Sequence, residues 1–317
     1  MKQTIFIDGE HGTTGLEIRE RLAERADLEF IRLADNERKD TRRRAEALNS
    51  ADIAILCLPD DAAKEAASLV TNERTRIIDA SSAHRTAPDW VYGFPEMATG
   101  QARAIAKAKR VTNPGCYPTG AVALLRPLIQ AGLLPADHPV SINAISGYSG
   151  GGKAMIAAFA DRTSKDFTPH HLRLYALGLE HKHTEEIRVH SGLAHRPLFV
   201  PSVGRFRQGM LVQVPLQLWA LPGRPKPAEL HGAISDAYDG TEFVEVPPYG
   251  ECLAIGGASS LDPRLPDPEA LNGTNRLRLC VFGNDKREQA LLVAQLDNLG
   301  KGASGQAVQC LDLMLGS

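Results

Sequence analysis

A cysteine stands between a Pro-Gly turn and a stretch with helical spacing, in residues 113–120, which read NPGCYPTG. Strand-like residues 110–112 precede this turn, so the pattern predicts that Cys116 is the first residue of a helix at a strand end. Free N–H groups at a helix N-terminus lower a thiol pKa from its usual value of about 8.5. The same groups can stabilise an oxyanion on a carbon attached to sulfur. The pattern favours a nucleophilic thiolate over the alternative, a buried core cysteine.

Two histidines, His181 and His183, are separated by one residue in the segment EHKHTEEI at residues 180–187. A nucleophilic thiol needs an acid or base partner, and imidazole is the side chain used most often. With i, i+2 spacing, both rings share a face only where the chain is extended. A zinc-binding pair is the alternative, but the sequence places no cysteine or third histidine at ligand spacing.

Near the N-terminus, a short apolar run leads into Gly9, Gly12 and Gly15, and residues with helical spacing follow. Strand, glycine turn and helix in this order are typical of a dinucleotide-binding motif, in which glycines let the backbone approach a pyrophosphate. The G-x-x-G-x-x-G spacing departs from the usual consensus, and a plain strand-to-helix connection is the alternative. With Thr13 and Thr14 inside it, the turn predicts a site for cofactor phosphates.

The second predicted strand, residues 28–33, is followed by Asp35 and then by five cations at residues 38–44. An acid about 20 residues after the glycines suits the ribose 2′-hydroxyl of NAD, whereas arginines suit the 2′-phosphate of NADP. The cations favour NADP, with Arg38 as the candidate ligand. A solvated basic helix face is the alternative.

Three further predicted strands, residues 53–58, 76–79 and 110–112, each end in a polar or Pro/Gly stretch. In an open parallel sheet, ligands bind at the carboxyl ends of the strands. We therefore expect these strand ends and the glycine loop to line one rim, where Ser81 and Arg85 follow the second of the three strands.

The second half of the chain has a different pattern. Residues 212–218 and 276–282 alternate with period two, which is typical of a sheet with one covered face, and Pro215 indicates an edge or bulge. Residues 146–153 predict a flexible loop, and residues 289–315 predict a mostly helical segment. The predicted fold class is α/β plus α+β: a Rossmann-type nucleotide-binding domain and a catalytic domain built on a largely antiparallel sheet.

Composition limits the function classes. Lysine plus arginine number 36 against 38 for aspartate plus glutamate, so the net charge of −2 gives no field that favours nucleic acid or a membrane surface. No apolar run approaches the ~18 residues of a membrane span. Five scattered cysteines without a CxxC pair argue against a disulfide framework or a structural zinc site. We expect a cytoplasmic protein that binds neither nucleic acid nor membrane.

Four segments together resemble the N-acetyl-γ-glutamyl-phosphate reductases of arginine biosynthesis, in the shorter of that family's two size forms. They are NPGCYPTG, SGYSGGGK at residues 146–153, EHKHTEEI, and DNLGKGASGQA at residues 297–307. The resemblance spans nearly the whole chain. The cysteine motif alone is similar to that of the aspartate-semialdehyde dehydrogenases, so an acyl-phosphate reductase of that type is the alternative.

The resemblance implies three regions: an NADP-binding domain at residues 1–115, a catalytic and oligomerisation domain at residues 116–290, and a C-terminal helix at residues 291–317 that returns to the first domain. It also implies NADP(H) as cofactor and a homo-oligomer, dimer or tetramer. The sequence departs from the family pattern at Glu185, where the family usually has proline. The resemblance therefore does not predict the backbone conformation at this position.

The resemblance further implies a reaction. The Cys116 thiolate attacks the acyl phosphate of N-acetylglutamyl phosphate, inorganic phosphate leaves, and the thioester is reduced to the semialdehyde while His181 protonates the oxyanion. Arg85 resembles the phosphate-binding arginine of related dehydrogenases. The other candidate contacts are His183, Lys153 and Arg205 for substrate and Ser81, Gly147, Gly150 and Asn298 for cofactor.

Two other function classes share parts of this pattern. A Cys-His hydrolase would use the same nucleophile and imidazole without a cofactor, but the glycine turn at residues 9–15 argues against it. A sensor that binds NADP without catalysis would keep that turn and would need no cysteine at a helix start. The residues therefore favour an oxidoreductase.

Overall fold

The computed structural model describes residues 2–252 and 265–316. The chain divides into two compact units. Unit 1 contains Met1–Pro95, Thr99–Pro114 and Ala303–Ser317, and unit 2 contains Glu96–Ala98 and Gly115–Gly302. None of the helices in these described ranges is long and apolar enough to cross a membrane.

The described residues form thirteen strands and nine α-helices. The strands are β1 (Gln3–Asp8), β2 (Leu28–Ile31), β3 (Ile53–Leu56), β4 (Arg76–Asp79), β5 (Val91–Tyr92), β6 (Arg110–Thr112), β7 (Ser141–Gly147), β8 (Leu172–Leu174), β9 (Leu198–Gly204), β10 (Met210–Gln217), β11 (Val244–Glu245), β12 (Leu277–Asn284) and β13 (Gln289–Leu296). The helices are α1 (Thr13–Arg21), α2 (Thr41–Ser50), α3 (Asp60–Leu69), α4 (Gln101–Lys107), α5 (Cys116–Gln130), α6 (Gly152–Ala160), α7 (Lys182–Ser191), α8 (Pro227–Tyr238) and α9 (Gly305–Leu315).

Unit 1 is built on a parallel sheet of six strands in the order β2-β1-β3-β4-β6-β5. All four residues of β3 are buried, as expected for a strand covered on both faces. One apolar cluster joins Ile5 to Leu311 of α9, and another joins Phe6 to Leu48 of α2. The strand order reverses between β1 and β3, which is where doubly wound sheets bind ligands. The predicted Rossmann-type unit is confirmed.

Unit 2 is built on a mixed sheet of seven strands in the order β11-β12-β13-β10-β7-β9-β8. The pairs β12–β13, β13–β10, β10–β7 and β9–β8 are antiparallel, whereas β11–β12 and β7–β9 are parallel. Helix α5 packs on this sheet so closely that a Cβ at Gly120 would lie 3.0 Å from the side chains of Val212 and Ala294. The largely antiparallel second sheet is confirmed, and it fixes the helix that begins with Cys116.

Pro215 occupies a part of β10 that has a neighbour on one side only. Strand β10 pairs with β13 along its whole length, but it pairs with β7 only from Met210 to Gln213. A proline there removes no hydrogen bond to β7, because that ladder has already ended. The edge-like environment predicted for Pro215 is therefore present locally.

The prediction that residues 289–315 are mostly helical is wrong for their first third. Gln289–Leu296 is β13, which pairs with β10 on one side and β12 on the other. Because β13 is an inner strand, Leu292–Leu296 is buried without alternation, and such a run does not distinguish a strand from a buried helix. Gly300–Ser304 then forms a π-helical turn, and α9 begins at Gly305.

Two further expectations are corrected. Residues 146–153 are not one long loop, because β7 continues to Gly147, a 3₁₀ turn follows, and α6 begins at Gly152. Cys252 and Cys280 form a disulfide, with Cα atoms 5.7 Å apart and a sequence separation of 28. Sequence spacing could not reveal this pair, since only the fold brings the two Cα atoms within bonding range.

Candidate active site

Cys116 is the first residue of α5, and Gly115 caps that helix in an extended conformation. The thiol is half-buried. The Gly115 N–H donates a hydrogen bond of 2.8 Å to Oε1 of Glu186, a residue of α7 that is 2 % exposed. This bond fixes the turn before the cysteine to α7. The predicted place of Cys116 at a helix start is confirmed, whereas Glu186 was not found from the sequence.

The backbone at Gly302 packs directly against Cys116. A Cβ at this position would lie 2.8 Å from the Cys116 Cβ, a distance that real Cβ atoms do not adopt. The Gly302 N–H donates to the Asp297 carbonyl at 2.9 Å. Next to it, the Lys301 ammonium donates to both carboxylate oxygens of Glu96 at 2.9 and 3.0 Å, and both side chains are buried. The buried π-helical turn therefore sets the space available to Cys116.

His181 is the N-cap of α7, with an extended backbone and a side chain that accepts a hydrogen bond. Its Nδ1 accepts from the His183 N–H at 3.1 Å. Its ring lies near those of Tyr117, Tyr175 and Phe199, with centroid distances of 6.1, 5.8 and 5.1 Å. Burial, with a smaller contribution from the neighbouring Lys182 charge, lowers the pKa of His181 to about 4. The ring is therefore neutral at pH 7.

His183 is 6 % exposed and lies in the first turn of α7. Its ring centroid is 4.7 Å from that of His181 and 5.8 Å from that of Tyr117. Both histidines face one cluster although only His181 is extended. The cap residue precedes the helix, so the i, i+2 pair does not diverge as it would within a helix.

Two tyrosines connect this cluster to the cysteine. The Tyr175 hydroxyl donates to the Tyr117 hydroxyl at 3.0 Å. Burial raises the pKa of Tyr175 to about 12 and that of Tyr117 further, and negative charge on Cys116 contributes to both shifts. Both hydroxyls therefore stay protonated at neutral pH within electrostatic range of the Cys116 sulfur. Tyr175 was missed because it belongs to no recognisable motif.

The glycine turn after β1 in unit 1 leaves no room for a side chain at Gly9 or Gly15. Gly9 has φ +88°, and a Cβ there would lie 2.3 Å from the Cys57 carbonyl oxygen. A Cβ at Gly15 would lie 2.6 Å from the Gly9 carbonyl oxygen. The Gly12 N–H donates to that same oxygen at 3.0 Å, and Thr13 and Thr14 open α1. This tight turn therefore places the N-terminus of α1 next to the carboxyl end of β1.

A cavity of about 450 Å³ adjoins the turn and is lined by Gly9, Gly12, Leu33, Arg38, Lys39 and Arg44, among others. Arg38 also pairs with Asp35 at 2.9 Å. By contrast, Arg42 and Arg43 pair with the exposed Glu46 and do not line the cavity. The basic run is therefore divided: Arg38, Lys39 and Arg44 border the cavity, whereas Arg42 and Arg43 form the solvated face that was the alternative.

Ser81 and Arg85 lie in a buried turn beyond β4. The Asp79 carboxylate accepts hydrogen bonds from the Ser81 N–H and hydroxyl, both at 2.8 Å, and lies 2.7 Å from Nδ1 of His84. The Arg85 guanidinium donates to the carbonyls of Asn113 at 2.9 Å and Ala80 at 3.2 Å. Asp79 thereby folds the turn so that Arg85 lies at the ends of β4 and β6.

The Arg205 side chain donates hydrogen bonds to backbone carbonyls within unit 2. It donates to the backbone carbonyls of Phe159 at 2.7 Å, His170 at 3.2 Å and Thr168, and its guanidinium lies over the Phe159 and Phe167 rings. These bonds hold the segment between α6 and β8. The role of Arg205 as a substrate contact stays a prediction. Lys153 lies exposed in the first turn of α6.

The remaining predicted cofactor residues lie around the end of β7. Asn298 is 2 % exposed, accepts from the Gly209 N–H at 2.7 Å and donates to the Ser149 hydroxyl at 3.0 Å. A Cβ at Gly147 would lie 2.5 Å from the Gln208 nitrogen, and Gly150 is exposed. Asn298 thus holds the loop that follows Gly147.

Comparison with known proteins agrees with this geometry. Residues 4–106 match the family model for the semialdehyde dehydrogenase NAD binding domain, and residues 116–298 match that for the semialdehyde dehydrogenase dimerisation domain. The chain belongs to the semialdehyde dehydrogenase family. Because residues 4–106 match a nicotinamide-cofactor domain, the predicted class of cofactor and the oxidoreductase assignment are confirmed.

Within this family, the chain is similar over nearly its full length to reductases of nearly the same length. It is 58% identical to N-acetyl-gamma-glutamyl-phosphate reductase of Burkholderia cenocepacia over 99% of this chain and 97% of the relative. It is 56% identical to the enzyme of the same name from Mesorhizobium japonicum over 100% of both chains. The predicted resemblance to these reductases is confirmed.

A solved semialdehyde dehydrogenase shows the same fold. The structure of aspartate semialdehyde dehydrogenase with NADP from Candida albicans superposes with a TM-score of 0.63 at 12% identity, covering 99% of this chain and 98% of that one. At this identity the likeness concerns the fold alone.

Glu185, the departure from the family pattern, lies in the first turn of α7, where it pairs with Arg188 and Arg196.

Proposed function

We propose that this member of the semialdehyde dehydrogenase family reduces N-acetyl-L-glutamyl 5-phosphate to N-acetyl-L-glutamate 5-semialdehyde in arginine biosynthesis, with NADPH as the reductant. The observation that carries this proposal is the position of Cys116 at the first turn of α5, tied through Gly115 to the helix that His181 caps. An acyl phosphate is a suitable substrate, because a thiolate displaces phosphate readily to give a thioester.

The chemistry proceeds on the Cys116 sulfur. The thiolate forms a bond to the acyl carbon, and the bond from that carbon to the phosphate oxygen breaks. The N–H groups that open α5 stabilise the charge on the carbonyl oxygen, and the neutral ring of His181 belongs to the same cluster. Bound NADPH would supply the hydride that converts the thioester to the aldehyde level. The C–S bond then breaks, and Cys116 returns to the thiolate.

The glycine turn of unit 1 fits a dinucleotide. Gly9, Gly12, Thr13, Thr14 and Gly15 form a turn in which Gly9 and Gly15 leave no room for a Cβ, and the N-terminus of α1 within it suits a pyrophosphate. Arg38, Lys39 and Arg44 line the adjoining cavity; Arg44 is paired with Asp8, and Arg38 and Lys39 suit a 2′-phosphate. We propose that these residues hold NADP(H), together with Ser81, Gly147 and Gly150, and that Asn298 acts through the loop it supports.

The substrate phosphate needs a cation, and we propose Arg85 for this role, since a guanidinium binds phosphate through two parallel hydrogen bonds. His183 and Lys153 are the proposed contacts to the rest of the substrate. We further propose that the enzyme is a homo-oligomer, dimer or tetramer, because residues 116–298 match a dimerisation domain. Its place of action is proposed to be the cytoplasm, where NADPH supports biosynthesis.

Replacing Arg38 and Lys39 with alanine should raise KM for NADPH about tenfold or more and leave KM for NADH nearly unchanged. The two cations border the cavity, and loss of a charge-assisted contact to a 2′-phosphate costs roughly 1.5–3 kcal/mol. Steady-state kinetics with both cofactors measures the effect. The matched control replaces Arg42 and Arg43, which belong to the same run but lie outside the cavity lining. Equal rises in KM for NADPH and for NADH would contradict the assignment of Arg38 and Lys39 to the 2′-phosphate.

The function itself is tested in the reverse direction. The enzyme should reduce NADP when supplied with N-acetylglutamate semialdehyde and phosphate, and it should do so much more slowly with aspartate semialdehyde. Dependence on phosphate separates this activity from a hydrolase or a non-catalytic sensor. Faster turnover of aspartate semialdehyde would instead favour the alternative substrate.

A further inference from the structure

Lys301 and Glu96 form an ion pair that is almost completely removed from water. The Lys301 ammonium donates to both carboxylate oxygens of Glu96, at 2.9 and 3.0 Å. The lysine side chain is 0 % exposed, and the glutamate side chain is 6 % exposed. Taking both charges out of water is costly, and replacing such a pair with apolar side chains of similar volume is often neutral or stabilising. Stability alone therefore does not account for two charges at this place.

The position of the Lys301 ammonium is fixed from two directions. The Glu96 carboxylate, which lies in the 3₁₀ turn Pro95–Met97, accepts both of its hydrogen bonds. The ammonium also lies over the ring of Phe243, 5.4 Å from the ring centroid, and the face of an aromatic ring attracts a cation. Lys301, Glu96 and Phe243 all belong to unit 2. Together, these contacts restrain the side chain of Lys301 at its far end.

The next residue along the chain passes this restraint to the cysteine. A Cβ at Gly302 would lie 2.8 Å from the Cys116 Cβ and 3.2 Å from the Cys116 Cα. The backbone at Gly302 is therefore in direct contact with Cys116. Because Gly302 is bonded to Lys301, a shift of the Lys301 backbone also moves the atoms that pack against Cys116.

The start of this turn is fixed separately by Asp297, which is 0 % exposed. One of its carboxylate oxygens accepts from Gln208 Nε2 at 2.7 Å and from the Gly273 N–H at 2.8 Å. The other accepts from the Leu299 N–H at 2.9 Å. The Asp297 carbonyl also accepts the Gly302 N–H at 2.9 Å. With its start held here, the turn has the Lys301 ion pair as its next point of attachment.

We propose that the ion pair of Lys301 and Glu96 is a positioning element for the nucleophile: it holds the turn at Gly302 and thereby fixes the place of the Cys116 sulfur. Neither Lys301 nor Glu96 touches the reacting atoms in this role. Their charges cancel each other, so the thiolate is stabilised by the N–H groups that open α5. This inference rests on the proposed function, in which the sulfur must meet the acyl carbon in a defined geometry.

An ion pair suits this task better than apolar packing, because its hydrogen bonds are directional. Two bonds from one ammonium to both oxygens of one carboxylate permit only a narrow range of positions. Methionine has a similar length but is flexible and adapts to gaps of irregular shape. Replacing both residues with methionine therefore keeps the site filled and removes the restraint on geometry.

The double variant Glu96→Met/Lys301→Met separates positioning from stability. It should unfold within a few degrees of the wild type, because no buried charge is left unpaired. Its kcat for reduction of NADP should fall at least about tenfold, since a 1 Å displacement of a reacting group costs about 10²-fold. KM for the semialdehyde and for NADP should change by less than about twofold, because neither residue contacts a substrate. Steady-state kinetics and thermal unfolding measure these properties.

Lys301→Met alone serves as a comparison for stability. It leaves the Glu96 carboxylate buried without its cation, so its melting temperature should fall by about 10 °C. The matched control replaces Arg224 and Glu288, an exposed ion pair of unit 2, with methionine. An exposed pair contributes little to stability, so this control should keep the kcat and the melting temperature of the wild type.

A second measurement requires no substrate. Alkylation of the unliganded protein with iodoacetamide, followed by mass spectrometry of its peptides, compares Cys116 with Cys57, another half-buried free cysteine. In the double variant, the alkylation rate of Cys116 should rise at least about threefold, because the turn no longer packs firmly against it and reactivity follows exposure. The rate of Cys57, which lies in unit 1, should stay at the wild-type value.

The outcomes are distinct. A stable double variant with lowered kcat, unchanged KM and faster alkylation of Cys116 supports the positioning role. A wild-type kcat, a wild-type alkylation rate, or a rise in KM without a loss of kcat would overturn it. A melting temperature as low as that of Lys301→Met would also overturn it, because the pair would then act on stability. If the wild type reduces no NADP with N-acetylglutamate semialdehyde and phosphate, the proposed function fails, while alkylation still tests the place of the sulfur.

Discussion

Cys116→Ser should lower kcat by at least about 10³-fold while NADPH still binds, because an alcohol gives almost no nucleophilic anion near pH 7. The helix start at Cys116 is proposed to stabilise a thiolate, and the glycine turn proposed to hold the cofactor belongs to the other unit. Stopped-flow turnover and fluorescence titration with NADPH measure the two properties separately. The substitution should not change the melting temperature by more than a few degrees, since the thiol is half-buried.

Cys310→Ser is the matched control. Cys310 is a second free cysteine, fully buried in α9, and its sulfur contacts the Gly93 carbonyl at 3.4 Å. A serine can make the same contact, so the variant should keep the wild-type rate. If Cys116→Ser retained more than a few per cent of wild-type single-turnover activity, the sulfur of Cys116 would not be the nucleophile.

Gly302→Ala should reduce kcat about 10²-fold, because a displacement of a reacting group by about 1 Å costs roughly that much. The new Cβ would lie 2.8 Å from the Cys116 Cβ, and the π-helical turn cannot move away freely. Gly302 is held by the Asp297 carbonyl, and Lys301 beside it is held by the Glu96 carboxylate. The strain must therefore fall on the cysteine. Single-turnover rates at saturating substrate measure the loss.

Gly232→Ala is the control for this substitution. Gly232 lies within α8, and a Cβ there would meet no atom within 4 Å. Alanine is the better helix former, so this variant should be as active as the wild type and slightly more stable. Unchanged kcat in Gly302→Ala would show that the turn yields instead of Cys116, and the positioning role of the turn would have to be abandoned.

The parts of the site that the sequence predicted are those determined locally. The glycine turn and the start of α5 follow from neighbouring residues, because turn chemistry and helix spacing act within a few positions. Glu186, Gly302 and Tyr175 could not be found this way. Their roles depend on contacts between segments more than 50 residues apart in sequence, such as the bond from the Gly115 N–H to the Glu186 carboxylate.

The errors have the same origin. Strand β13 was interpreted as helix because an inner strand of the sheet is buried on both faces and loses its alternation. The disulfide between Cys252 and Cys280 follows only from the pairing of distant segments. The hydrogen bond from the His183 N–H to the His181 ring could not be predicted from the sequence either, because it exists only once α7 begins at residue 182.

The most direct test of the central claim is to trap the acyl group on Cys116. Enzyme mixed with NADP and N-acetylglutamate semialdehyde in the absence of phosphate should release a burst of about one NADPH per active site, since no phosphate is present to cleave the thioester. Mass spectrometry of the quenched protein should then find an N-acetylglutamyl group on the peptide that contains Cys116. No burst, or an acyl group on any other residue, would contradict the account.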